Sequence, residues 1–179
     1  MNGRYEMRFT GSGGQGVILA SVIMAEAAII ADKNAVQSQA YGPEARGGMC
    51  KAETVISDEQ IWFSKVIKPS FLLALTQDSI NTYIKDLAPE AVVLADDSLS
   101  RPEGYEGVKY YSLPILRTAE EKIGKAMTAN IVAVGAINGL LGLFSEEVLR
   151  EAVLRHIPAG TEKLNMLALD AGIELGKAV

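Results

Sequence analysis

Cysteine, histidine and tryptophan each occur once in this 179-residue chain, as Cys50, His156 and Trp62. A single thiol excludes an internal disulfide framework, and one cysteine with one histidine is too few for a Cys/His metal site. Basic residues are also in deficit: 17 Lys and Arg stand against 22 Asp and Glu, a net charge of −5. That balance disfavours nucleic acid and anionic membrane surfaces as partners, since both select a basic face. No apolar run reaches the roughly 20 residues of a membrane span. The two longest, 17–31 and 129–144, are interrupted by Glu26 and by Asn130 and Asn138, and they read as helices buried on nearly all sides. The opening stretch Met1-Asn2-Gly3-Arg4-Tyr5-Glu6 is polar, so no secretory leader is expected. Scarce thiols without a leader make a reducing, cytoplasmic setting the expectation.

The chain does have glycine in an informative place and an apolar share of 49%. That length and apolar share suffice for a core without staples. No linker, repeat or low-complexity tract divides residues 1–179, so a single domain is expected. Tyr5 to Thr10 alternate as a strand, run into Gly11-Ser12-Gly13-Gly14-Gln15-Gly16, and give way to a helix over 16–31. Gly11, Gly13 and Gly16 keep the G-x-G-x-x-G spacing in the strand–turn–helix context that gives it meaning. Such a turn presents backbone N–H groups and a positive helix end to a phosphate. Gly11, Gly13, Gly14, Gln15 and Gly16 are therefore candidate contacts for a phosphate-bearing ligand. The competing reading is a turn kept tight for steric reasons that binds nothing by itself. A dinucleotide would also need an acid at the end of the second strand, to hold a ribose hydroxyl. Asn34-Ala35-Val36-Gln37-Ser38-Gln39 supplies none and Asp32 comes too early, which disfavours NAD.

Downstream, residues 35–39 predict a short strand and 40–49 a glycine-rich loop. The alternation of 51–57 predicts a strand, and the turn at Asp58-Glu59 would let Gln60 to Phe63 return as a hairpin arm. Phe71–Leu75 and Ala91–Ala95 are continuous apolar runs, as in strands buried on both faces. Thr76 is placed to cap a helix over 77–86, a strand follows at 107–112, and Pro114 opens a helix that Gly124 stops. The last third is helical, with starts at Thr128, Ser145 and Thr161. The expected fold is α/β: a Rossmann-like three-layer domain with a mostly parallel sheet and a helical C-terminal third. Its apolar helices need cover, either from the chain's own sheet and helices or from another subunit, a second copy included. Asp96-Asp97 reads as a solvated strand end, His156 as a helix-end polar residue and Cys50 as a small buried apolar group. Trp62 stays open between core and contact.

The octet Tyr41-Gly42-Pro43-Glu44-Ala45-Arg46-Gly47-Gly48, following the strand–turn–helix unit, resembles the gamma subunit of 2-oxoacid:ferredoxin oxidoreductases. The likeness runs through residues 5–175. Ser57-Asp58-Glu59-Gln60-Ile61 is similar to the family's acidic turn, and Leu75-Thr76-Gln77 to its strand-to-helix junction. Pro114 through Gly124 with Asn130 and Gly135, then Asn165, Ala168 and Gly172, match its later helices. The unbroken Gly-Pro-Glu-Ala-Arg-Gly-Gly most resembles the 2-oxoglutarate type; the pyruvate, branched-chain 2-oxoacid and indolepyruvate types are the alternatives.

The resemblance implies a subunit of an enzyme that decarboxylates a 2-oxoacid oxidatively to an acyl-CoA and reduces ferredoxin. It implies alpha, beta and, in some assemblies, delta subunits as partners. Thiamine diphosphate, magnesium and iron–sulfur clusters then belong to those partners. One cysteine agrees, because a cluster wants four thiolates. Asp96-Asp97 likewise lacks the glycine and asparagine of a thiamine diphosphate motif. No catalytic residue and no metal ligand are expected on this chain, whose glycine turn becomes a candidate contact for phosphate or CoA. Tyr41, Gly42, Glu44, Arg46, Gly47 and Gly48 are the candidate interface, with Arg46 suited to a bidentate grip on a partner carboxylate or a CoA phosphate. The rival from another class is a stand-alone nucleotide-binding protein.

Overall fold

The computed structural model describes residues 3–41 and 48–179. Its first half comprises β1 (Arg4–Ser12), α1 (Val17–Ile30), β2 (Asn34–Tyr41), β3 (Met49–Ser57), β4 (Phe71–Ala74) and α2 (Gln77–Tyr83). The second comprises β5 (Val92–Asp96), β6 (Lys109–Leu113), α3 (Ile115–Arg117), α4 (Ala129–Leu141), α5 (Glu146–His156) and α6 (Glu162–Lys177). The six strands form one sheet in the order β2-β3-β1-β4-β5-β6. β1, β4, β5 and β6 are parallel neighbours, whereas β3 pairs antiparallel with β1 on one side and β2 on the other.

The apolar runs place the sheet between unequal layers. Phe71, Leu73 and Leu75 face the large core shared with α1, α4, α5 and α6. Leu72 and Ala74, between them in sequence, face a smaller cluster with Ile80 and Ile84 of the α2 segment. Alternate side chains of β4 thus serve two cores, and all four of its residues are buried. The expected architecture, α/β with three layers, is what the chain adopts.

The two apolar helices are covered from within. α4 has ten consecutive buried residues, Ala129 to Asn138, and its principal neighbour is α6. Gly135 and Gly139 of α4 meet Gly172 and Gly176 of α6 with backbone against backbone. A Cβ on Gly135 would come within 2.8 Å of Ile173 N, and one on Gly176 within 2.7 Å of Leu140 N. No ordinary side chain fits such a crossing, so these glycines set the distance between the helices. α1 lies between the sheet, α4 and α5, leaving Ile29 at 54% exposure as its main bare apolar side chain. No helix among the described residues is long and apolar enough to cross a membrane.

Three expectations are corrected. Gln60–Phe63 makes no hairpin arm, because β3 is already paired along both edges. The chain instead crosses the sheet face irregularly, anchored by buried Val66, and leaves Trp62 86% exposed, so Trp62 is not core. Thr128 does not cap α4; its hydroxyl donates back to Lys125 O at 2.8 Å. Asp96 is not solvated: at 1% exposure it accepts from Ser98 N, Ser98 Oγ and Leu116 N, fastening the end of β5 to the start of α3. Thr76 and Ser145 do cap their helices, accepting from Ser79 N and Val148 N.

Sequence alternation also placed a charge where none was expected. Arg8 points to the α2 side of β1 and is 4% exposed. Its Nε donates to Glu53 Oε1 at 2.8 Å and its guanidinium lies 5.2 Å from the centre of the Tyr83 ring. Lys51 also contacts Glu53, at 3.2 Å. On its other side Arg8 Nη1 lies 3.4 Å from Asp86 Oδ2.

Candidate functional site

β1 ends at the glycine turn, and the geometry there follows from how each glycine is used. Gln15 N donates to Ser12 O, closing the turn. The Gln15 side chain faces inward: Oε1 accepts from Ser12 N at 2.7 Å and Nε2 donates to Leu75 O at 3.3 Å. Of the candidate contacts, Gln15 is therefore occupied as a clamp between the ends of β1 and β4. Gly11 is buried against it, while Gly13 and Gly14 are exposed. Gly16 is the N-cap of α1 in the left-handed region at φ 72°, with no side-chain cap and no acid in the first turn of the helix. Ala20 N is the first helical donor, to Gly16 O. Among the described residues the N–H groups of Gly14, Gly16, Val17, Ile18 and Leu19 therefore donate to nothing, the arrangement that favours an anion.

The turn occupies the topological switch point of the sheet. After β1 the chain passes to α1 on the large-core face; after β4 it passes to α2 on the other. Ligands of open α/β sheets lie in the crevice that opens where neighbouring strands send their helices to opposite faces. The octet joins β2 to β3 at this same end, and Gly13 N donates to Gly48 O at 3.0 Å. Two motifs far apart in sequence are thus stitched together. Gly42, Glu44, Arg46 and Gly47 lie outside the described residues, as does the Tyr41 side chain.

Against Gly16 packs Asn130, the second residue of α4. A Cβ on Gly16 would fall 2.7 Å from Asn130 Nδ2, so only glycine fits there. Sequence reasoning noted Asn130 as a polar break in an apolar run without assigning it to the turn. The lone asparagine opposite a required glycine was the only cue.

The remaining polar groups have structural roles. His156 Nε2 is 3.6 Å from Glu26 Oε2, and Arg155 Nη1 donates to Glu26 Oε1 at 2.5 Å. Arg155 holds the Glu26 carboxyl below its ordinary range, so these contacts tie α5 to α1. Burial pushes the Cys50 thiol up, which suppresses the thiolate a nucleophile needs. Among the described residues no cluster of three His, Cys, Asp or Glu side chains is arranged to hold a metal.

A family model described as pyruvate ferredoxin/flavodoxin oxidoreductase matches residues 6–175. The chain is 46% identical over 177 residues to the 2-oxoglutarate synthase subunit KorC of Methanocaldococcus jannaschii, a match covering 97% of this chain and 95% of that one. It is 41% identical over 179 residues to KorC of Methanothermobacter marburgensis, covering 96% of each. The crystal structure of the keto/oxoacid ferredoxin oxidoreductase gamma subunit from Geobacter sulfurreducens superposes with a TM-score of 0.88 at 45% identity, covering 98% of both chains.

Proposed function

The chain belongs to the pyruvate ferredoxin/flavodoxin oxidoreductase family, and from that premise we propose that it is the gamma subunit of a heteromeric 2-oxoacid:ferredoxin oxidoreductase acting on 2-oxoglutarate in the cytoplasm. Near-full-length identity to two 2-oxoglutarate synthase subunits supports this substrate over pyruvate, branched-chain 2-oxoacids or indolepyruvate. The holoenzyme oxidises and decarboxylates the 2-oxoacid, transfers the acyl group to CoA and passes two electrons to ferredoxin. Thiamine diphosphate with magnesium, and the iron–sulfur clusters, are assigned to the alpha, beta or delta partners, because one buried cysteine cannot supply four thiolates. The isolated chain is accordingly expected to be inactive.

This chain's own contribution is positioning. The observation that carries it is the free N–H array of the glycine turn, bonded to the octet through Gly13 and Gly48 at the switch point. Gly14 and Gly16, with the first turn of α1, are suited to hold the diphosphate of CoA, whose thiol is the acyl acceptor of the reaction. Gly11 and Gln15 shape the turn, and Gly13 is committed to Gly48. Tyr41, Gly42, Glu44, Arg46, Gly47 and Gly48 are proposed to form the contact with the thiamine-binding partners. The stand-alone dinucleotide reading lacks support: β3 separates β1 from β2, so the end of β2 is about 10 Å from β1 at normal strand spacing.

Purification from the native cell with mass spectrometry tests the assignment. Larger subunits, one cysteine-rich, should co-elute with this chain in fixed ratio; a chain that elutes free of them refutes it. In the reconstituted complex, Arg46→Ala should leave this subunit folded while weakening association or raising KM for CoA several-fold, as loss of a charge-assisted bidentate contact does. Normal assembly and turnover would remove Arg46 from the site.

A further inference from the structure

The N-terminus of α4 meets the glycine turn at a point the octet and the G-x-G-x-x-G spacing do not predict. α4 starts with no side-chain cap and no acidic residue in its first turn, as does α1. Each helix start carries about half a positive charge, and no carboxylate in the first turn of either helix offsets it. Asn130 is 5% exposed, yet its side-chain amide makes no hydrogen bond among the described residues. Among the described residues, the sealed side-chain polar atoms without a hydrogen bond are Tyr110 Oη and His156 Nε2. The Asn130 amide is not one of them, so it keeps solvent contact at the crevice. An amide held this close to burial, with no partner among the described residues and an outlet to solvent, is placed to bond a group that enters the crevice.

We propose that Asn130 and the start of α4 form, with the free N–H groups of Gly14, Gly16 and the first turn of α1, a two-helix site for a diphosphate anion in which Asn130 Nδ2 is the side-chain ligand. The site rests on the reading of the glycine turn as a phosphate contact and deepens it by naming the second wall. A single helix start suits one phosphate; two helix starts joined at the Gly16–Asn130 contact suit a diphosphate, whose charges are spread over two phosphorus centres. The same contact explains Gly16, since any Cβ there would displace the amide. Lys125, exposed and without an ion pair among the described residues, stands just before α4 as a further source of positive potential.

The test is a titration of the full-length ¹⁵N-labelled chain with inorganic pyrophosphate, ADP and CoA, followed through the amides of Gly14, Gly16–Leu19 and Ala129–Ile131 and the Asn130 side-chain NH2. All should shift together with one saturation curve. Asn130→Asp retains the shape and places an acid where a helix start tolerates it, so it should fold as well as the parent while its affinity for pyrophosphate falls at least tenfold. Asn130→Ala should lose affinity several-fold. If CoA binds at least tenfold more tightly than pyrophosphate or ADP, the diphosphate is that of CoA; comparable affinities assign a general diphosphate site. Shifts confined to α1, with Asn130→Asp binding normally, would overturn the role of Asn130 and leave the glycine-turn reading standing. No shift in either helix would overturn both, while the subunit assignment would still be decided by co-purification.

Discussion

Gly172→Ala tests whether backbone contact between α4 and α6 holds the site in place. The new Cβ would lie 2.9 Å from both Ala136 N and Val132 C, and closer still to Val132 O. Ordinary contact begins near 3.4 Å, so relieving those two atoms takes about 0.5 Å and relieving Val132 O takes more. All three obstacles are backbone, so no rotamer change relieves them. Overpacking of this kind costs about 3 kcal/mol at the upper end of the usual range. Alanine returns about 1 kcal/mol through its better helix propensity. The net loss of about 2 kcal/mol corresponds to a Tm lower by about 4–8 °C for a domain of this size. Val132 is two residues from Asn130, so the same displacement should weaken diphosphate binding. Gly107→Ala is the matched control, since a Cβ there meets nothing within 4 Å. Calorimetry on both variants, with pyrophosphate titration of each, is the assay. A Gly172→Ala protein as stable as Gly107→Ala would refute the claim that these glycines set the helix spacing.

Two further outcomes follow from the ion pairs. Arg8→Met leaves Glu53 buried with only Lys51 beside it and should cost about 3 kcal/mol in urea unfolding, whereas adding Glu53→Met should recover most of the loss; a double variant no better than the single would show that the pair is not the source. Glu26 has a folded pKa depressed below its ordinary 4.5, chiefly by its hydrogen bond from Arg155. Its contribution is therefore fully present above the unfolded value and lost as pH falls through the folded one. The Tm advantage of the parent over Glu26→Gln should be constant near neutrality and shrink below pH 4.5; a gap that widens on acidification contradicts the assignment.

Local rules recovered the elements whose information is local. The period of β4, the caps at Thr76 and Ser145 and the αL stop at Gly124 depend on neighbours in sequence, and each was legible. The failures share a different cause. Whether Gln60–Phe63 forms a strand depends on a free edge of β3, and β2 and β1 take both edges. Whether Asp96 is solvated depends on α3, which brings Leu116 N to its carboxylate at 2.8 Å. Arg8 followed the alternation of β1 onto a covered face, where Glu53 and Asp86, 45 and 78 residues away, make the charge tolerable. The glycine turn itself was legible, but its packing against Asn130 was not, because the Gly16–Asn130 contact joins helices separated by most of the chain.

The position of β3 also accounts for a nucleotide-type turn in a chain without the ribose acid. In a doubly wound dinucleotide fold the second parallel strand adjoins the first, and the acid at its end faces the ligand. Here the chain after β2 reverses through the octet and inserts β3 antiparallel between the two. That insertion moves the end of β2 away from the turn and leaves an acid there without a ribose to reach. It also brings Gly48 O to Gly13 N, so the connection that replaces the acid is fastened to the glycine turn itself. The phosphate-favouring half of the turn survives because it depends on β1, α1 and the crevice beside β4, none of which the inserted strand disturbs. One antiparallel strand thus separates the glycine turn from the strand end where a ribose acid would stand.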